Sequence, residues 1–137
     1  MTQRAARYNA GKPQVHFMLT FPEAINGVAR VSMYGSRKYD LYNYMKGAPI
    51  SESIDCAMRH IMKYFMGETR DADPSCPDCQ KRDNEDPNHL CKVHSGCHHL
   101  DHAVWNVSRA CDDAHRHPEW DDRPHVVLEQ QAINRPS

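Results

Sequence analysis

Over residues 95–115 apolar and polar positions repeat with a helical period. Leu100, Ala103, Val104, Val107, Ala110, Cys111 and Ala114 recur at i, i+3, i+4, i+7, the spacing of one apolar helix face. A second stripe, His99, His102, Asn106, Arg109 and Asp113, is spaced 3, 4, 3, 4 and stacks along another side of the same helix. The pattern predicts a helix over 97–115 that buries its apolar face. Beside that face run two imidazoles, an amide, a guanidinium and a carboxylate. On an arbitrary helix such a stripe is a solvated polar side.

Two further helices follow from the same period. Ile54, Ala57, Met58, Ile61, Met62 and Phe65 form the apolar face of a helix over 52–68, which Ser51 or Ser53 can cap. His60, Tyr64 and Glu68 lie along its other side, and Asp71 follows three residues after Glu68. If that helix runs on, Glu68 and Asp71 point the same way and can share a divalent cation. Magnesium and manganese favour such oxygen ligands. Acid at a helix C-terminus opposes the helix dipole, which points to a role other than stabilising the helix. An earlier helix over 22–34 starts at Pro22, turns Ile25, Val28, Ala29 and Met33 to one side, and meets a capping glycine at Gly35. These elements predict an all-α fold. Three helices of modest length leave one side of a bundle open, so a second copy is expected to close it. The expectation is an obligate homo-oligomer, a dimer or a dimer of dimers, completed by the helices at 52–68 and 97–115.

Between the helices the chain is rich in turn formers and chemistry. Tyr8-Asn-Ala-Gly-Lys-Pro13 is a turn that can set Lys12 against a phosphate. Gly35 to Gly47 places Arg37, Lys38 and Lys46 around Tyr39, Tyr42, Asn43 and Tyr44. Cations there can bind phosphate oxygens while rings stack on a base or cover a sugar, or the aromatics simply anchor a loop. Residues 72–94 break the helical pattern at Pro74, Pro77 and Pro87. They carry Cys76-Pro-Asp-Cys79 and Cys91-Lys-Val-His94, with Cys97 just beyond. A Cys-x2-Cys and a Cys-x2-His pair can close a tetrahedral zinc site, and a structural zinc gives so long a loop a reason to be ordered. The fourth ligand is His94 or Cys97. Cys56 and Cys111 read as core residues.

Composition narrows the classes. The chain has 137 residues, with 17 Lys plus Arg against 18 Asp plus Glu, a formal net charge of −1. A balance so near neutral gives no electrostatic reason for nucleic-acid or membrane binding. The first residues carry no apolar signal core, and no apolar run approaches a membrane span. A cytoplasmic location is expected, and six cysteines in that setting read as metal ligands or buried thiols before disulfides. The expected organisation is one domain over 1–117, including a zinc loop at 72–97, and a tail over 118–137 to which no chemistry is assigned.

Taken together, Tyr8-Asn-Ala-Gly-Lys-Pro13, Tyr34-Gly-Ser-Arg-Lys-Tyr39 with Asn43-Tyr-Met-Lys-Gly47, Asp55-Cys-Ala-Met-Arg-His60 with Gly67-Glu68 and Asp71, and Ser95-Gly-Cys-His-His99-Leu-Asp-His102 with Asn106 form an ordered set. In this order they resemble the phage and bacterial MazG-like dATP/dGTP diphosphohydrolases, over roughly residues 8–109. The resemblance implies an all-α MazG-like bundle, built as a dimer. It implies cleavage of a purine nucleoside triphosphate between the α- and β-phosphates, with magnesium or manganese, in the host cytoplasm for a phage-encoded chain. The family's metal-binding helices are acidic, whereas the corresponding positions here read Arg59-His60 and His99-Leu-Asp-His102. The cysteine insertion is a second departure.

Phosphoanhydride cleavage needs a divalent metal, an activated water and cations along the phosphates. Glu68, Asp71, His60, His99 and His102 are the candidates for ligand or base. Lys12, Arg37, Lys38, Lys46 and Arg59 are the candidate phosphate holders, and Tyr39, Asn43, Tyr44 and Asn106 complete the substrate set. Two other readings compete. A zinc-containing nucleic-acid-binding module would use the cysteine loop and the basic-aromatic loop, but has no use for Glu68 and Asp71. A zinc hydrolase would use His99 and His102 as catalytic ligands.

Overall fold

The computed structural model describes residue 3 and residues 5–136. Met1, Thr2, Arg4 and Ser137, at the ends of the expected domain and tail, lie outside the described residues. The fold is all-α. Helices α1 (Pro22–Lys38), α2 (Ile50–Phe65), α3 (Pro77–Asn84), α4 (His99–Arg116) and α5 (Pro124–Ile133) are joined by loops with 3-10 turns at Val15–Thr20, Asn43–Lys46 and Pro118–Trp120. Among the described residues there is no strand, only an isolated bridge between Arg70 and His98.

Helix α4 is the centre, with α2 along one side and α1 along the other. Gly27 explains how α1 comes so close: a Cβ there would lie 2.2 Å from the Asp101 carboxylate on α4. The contact is locked by Arg30 on Asp101 at 3.1 Å and by Trp105 Nε1 donating to Ser32 Oγ at 2.9 Å.

Two helix ends differ from expectation. Helix α1 continues through Gly35 to Lys38, and the Tyr39 N–H closes its last turn on the Gly35 carbonyl at 2.8 Å. Arg37 and Lys38 therefore sit on a helix end, where cations favour the dipole, and not in a loop. Helix α2 stops at Phe65 because Gly67 takes a φ of 107°. The Glu68 N–H then bonds to the Lys63 carbonyl and the Gly67 N–H to that of Tyr64, a Schellman stop. The helix does not run on to 68, so Glu68 and Asp71 do not stack along one face.

The larger difference is which faces are buried. The polar stripe of α4 turns inward: His99, His102, Asn106 and Asp113 are buried together with Ala103 and Ala110. The apolar stripe faces out, with Val107 53% exposed and Leu100, Val104 and Cys111 also accessible. Helix α2 behaves alike, burying Ile50, Ser53 and Ala57 while Ile54, Met58, Ile61 and Met62 are exposed and Phe65 is 86% exposed. Small residues let α2 and α4 approach closely, and the polar stripe fills the seam between them. Cys111 is thus not a core residue, and Cys56 is only half-buried.

The stretch 72–94 is not wholly irregular, since it contains α3. The segment after α4 folds back: Asp122 accepts from the Ser51 N–H at 3.0 Å and from the Ser51 hydroxyl, at the start of α2.

Candidate active site and cysteine cluster

The seam between α2 and α4 holds three imidazoles. His60 Nδ1 lies 2.8 Å from His99 Nδ1, and His99 Nε2 lies 2.8 Å from Glu68 Oε1. His60 also stacks on His102, with ring centroids 4.2 Å apart and planes within 6°. His102 Nε2 meets Ser95 Oγ at 2.5 Å. Asp71 is tied to the same point, its Oδ2 accepting the Ser95 N–H at 2.9 Å and its carbonyl accepting the Gly96 N–H at 2.7 Å.

For a neutral His99 the Glu68 carboxylate, which only accepts, takes the Nε2–H and leaves Nδ1 bare. His60 must then donate from Nδ1, which leaves its Nε2 bare. Burial, with His102 and His99 beside it, pushes His60 down to about 4. Burial likewise lowers His102. Both rings are therefore neutral at physiological pH. Burial alone would raise Asp71, but hydrogen bonds from Ser95 outweigh it and hold the carboxyl below its usual range.

A cleft of about 860 Å³ opens from this point. His60, Asp71 and His102 line it, with Asn106, Lys38, Tyr39, Asn43, Tyr44 and Lys46 along its walls. The other expected site residues fall elsewhere. His99 is 0% exposed and, with Glu68, stands behind His60 outside the cleft lining. Both ring nitrogens of His99 lie against other candidate residues, His60 and Glu68. Lys12 lies in an exposed turn, Arg37 donates to the Asn88 carbonyl, and Arg59 Nη2 points at Cys56 Sγ at 3.0 Å. None of these three lines the cleft.

Four polar or aromatic residues at the cleft, Ser95, Glu52, Trp105 and Arg109, were not among the expected site residues. Ser95 joins Asp71 to His102, and no periodicity marks it. Glu52 is an acid on the first turn of α2 and lines the cleft, as do Trp105 and Arg109. Arg109 lay on the polar stripe of α4, which was the available signal.

Beside the cleft, Cys76, Cys79, Cys91 and His94 bring one ligand atom each to within 4.8 Å of one another. Sulfur–sulfur separations are 3.8 and 3.9 Å, and Cys91 Sγ lies 3.7 Å from His94 Nδ1. His94, not Cys97, completes the group. Cys76 is the N-cap residue of α3, and hydrogen bonds headed by the Cys79 N–H bring its thiol down to about 7. Tyr34 donates to the Cys91 carbonyl at 2.8 Å, and burial first, then the neighbouring Cys91 and Asp71, push its phenol up to about 12.

In this all-helical chain neutral histidines and a carboxylate meet cationic and aromatic walls in one cleft. Residues 2–123 match the family model described as dATP/dGTP diphosphohydrolase, N-terminal. The chain belongs to this family of hydrolases. No curated protein and no solved structure matches it. No helix among the described residues is long and apolar enough to cross a membrane.

Proposed function

We propose that the chain cleaves a purine deoxynucleoside triphosphate between the α- and β-phosphates, releasing the monophosphate and pyrophosphate. The observation that carries this reading is the cleft itself, with Asp71, His60 and His102 at one end and cations and aromatic rings along its walls. His60 Nε2, kept bare by the Glu68–His99 chain behind it, takes a proton from the attacking water. Lys38, Lys46 and Arg109 hold the phosphate oxygens by charge-assisted hydrogen bonds. Tyr39, Tyr44 and Asn43 cover the sugar and base. Glu68 and His99 act as positioning residues.

The cleft's donor set is mixed, with Asp71 and Glu52 offering oxygen and His102 nitrogen. These are the donor types that manganese and magnesium take, although they are not drawn together as the cysteine cluster is. Bound there, the ion supplies charge neutralisation and an acidified water. The cysteine cluster fits zinc: a tetrahedral ion with Zn–S bonds of about 2.3 Å sets its sulfurs about 3.8 Å apart, close to the separations found. Four protein ligands make that role structural. The exposed apolar faces of α2 and α4 fit a second copy, since a contiguous outward stripe of this kind marks an interaction surface.

Incubating the protein with each deoxynucleoside triphosphate and manganese, then separating the products, tests the function. Monophosphate and pyrophosphate are expected from the purines. Diphosphate and orthophosphate would overturn the assignment.

A further inference from the structure

Arg82 stands three residues beyond Cys79 on α3, on the same side of that helix. Its side chain is only 10% exposed, deep for a residue type that is mostly found at the surface. Nε lies 3.1 Å from Asp83 Oδ1, and Nη1 donates to the His94 carbonyl at 2.7 Å. Nη2 is buried and has no hydrogen-bond partner among the described residues. The Cys79 sulfur lies beside the guanidinium. Gly96 leaves room for this packing: at a φ of 75° it carries no side chain, where a Cβ would lie 2.7 Å from Arg82 Cζ.

Charge supplies the reason for a cation here. Three thiolates outweigh a divalent ion by one negative charge, and Cys79 and Cys91 are each 1% exposed. A buried net charge is costly unless it is paired and hydrogen-bonded. Asp83 does not cancel Arg82, because it is shared with Arg70 Nη2 at 3.5 Å, so the trio keeps one positive charge. We infer that Arg82 is the positioning residue of the cysteine cluster: its Nη2–H donates to the Cys79 thiolate, and its charge offsets that of the zinc–thiolate group. The inference rests on the zinc reading above. A donor beside a neutral thiol gains a charge-assisted bond once that sulfur is ionised, as a zinc ligand must be. The same guanidinium grips the His94 carbonyl, and Ser95, the next residue, holds Asp71 and His102. Arg82 thus fixes the loop that joins the cluster to the cleft.

The test measures zinc affinity by competition with a chromogenic chelator in the wild type, Arg82→Gln, Arg82→Lys and Lys81→Gln. The thiolate-to-metal absorption band is recorded in parallel with cobalt in place of zinc. Hydrogen-bond partners of metal ligands are worth about 10–100-fold in affinity, so Arg82→Gln should weaken zinc binding by about 30-fold. Its cobalt band should move to longer wavelength, because a thiolate that loses a hydrogen bond gives up an electron more readily. Lys81 is an exposed cation one residue away on α3, and Lys81→Gln should leave affinity within about threefold. Unchanged affinity in Arg82→Gln, or an equal loss in Lys81→Gln, would overturn the inference and spare the zinc site. So would a loss of affinity with the band unmoved, as expected of a residue that only props the loop. Arg82→Lys keeps the cation but cannot serve three partners from one nitrogen, and should weaken zinc binding by about tenfold. It decides the matter if Arg82→Gln fails to fold, and unchanged affinity there would overturn the inference. A wild type that binds neither zinc nor cobalt would bring down the zinc reading as well.

Discussion

Glu68→Leu should damage both stability and turnover, through the buried imidazole behind the cleft. His99 is 0% exposed, and its Nε2–H donates to Glu68 at 2.8 Å. The Glu68 carboxylate is half exposed, so leucine there removes the acceptor and sets an apolar side chain over the buried imidazole. A buried donor stranded in this way costs about 1–3 kcal/mol. At roughly 4 °C per kcal/mol for a chain of this size, melting should fall by about 8 °C for a 2 kcal/mol loss. With its acceptor gone, His99 is no longer held as the Nε2–H tautomer, and His60 Nε2 loses its assurance of being bare. Loss of a general base costs about 100-fold or more in kcat, and KM should change little because neither Glu68 nor His99 lines the cleft. Glu68→Gln keeps an acceptor oxygen and should recover most of both losses, while Glu68→Ala admits water and should fall between. Calorimetry, steady-state kinetics and nitrogen-15 spectra of the imidazoles read the three effects separately. Normal melting and turnover in Glu68→Leu would refute the tautomer chain. If Glu68→Gln were as damaging as Glu68→Leu, the carboxylate's charge would be what matters, not its acceptor.

Three further outcomes follow from the same geometry. Protein purified without chelator should carry one zinc per chain, lost with a large drop in melting temperature in Cys79→Ser; elemental analysis without zinc would remove the site. The outward stripes of α2 and α4 predict an obligate oligomer, so light scattering that returns the 15.8 kDa chain mass for active protein would contradict a shared core. Stability should fall with pH between about 6.5 and about 4, because the unfolded chain protonates His60 near 6.5 and the folded chain only near 4. The proton uptake of the unfolded state sets that sign. His102, lowered in the same direction, adds to the effect. A melting temperature flat across that window without added metal would show that His60 is not buried neutral.

The helical period located α1, α2 and α4, but it misjudged which face of α2 and α4 the single chain buries. Periodicity marks an apolar stripe; it does not say whether the stripe is covered by the same chain or another. Here Ser53, Ala57, Ala103 and Ala110 let two helices meet around polar groups, and Met58, Ile61 and Val107 are left outside. Residue type and spacing singled out His60, Asp71 and His102, and the structure sets them along one cleft. The setting of Glu68 and His99 behind it was not legible, because a single glycine with positive φ ends α2 and redirects the chain after it. Ser95 was illegible for a different reason: its bonds to Asp71 and His102 depend on a loop path that the cysteine cluster sets. The Cys-x2-Cys and Cys-x2-His spacings gave that cluster directly, leaving only the choice of His94 over Cys97 to the three-dimensional structure.

The proposed reaction is a single hydrolytic step at the α-phosphorus. Turnover of dGTP in oxygen-18 water, followed by mass spectrometry of both products, tests it most directly. One labelled oxygen is expected in dGMP and none in pyrophosphate. Label in pyrophosphate, or release of labelled orthophosphate, would contradict it.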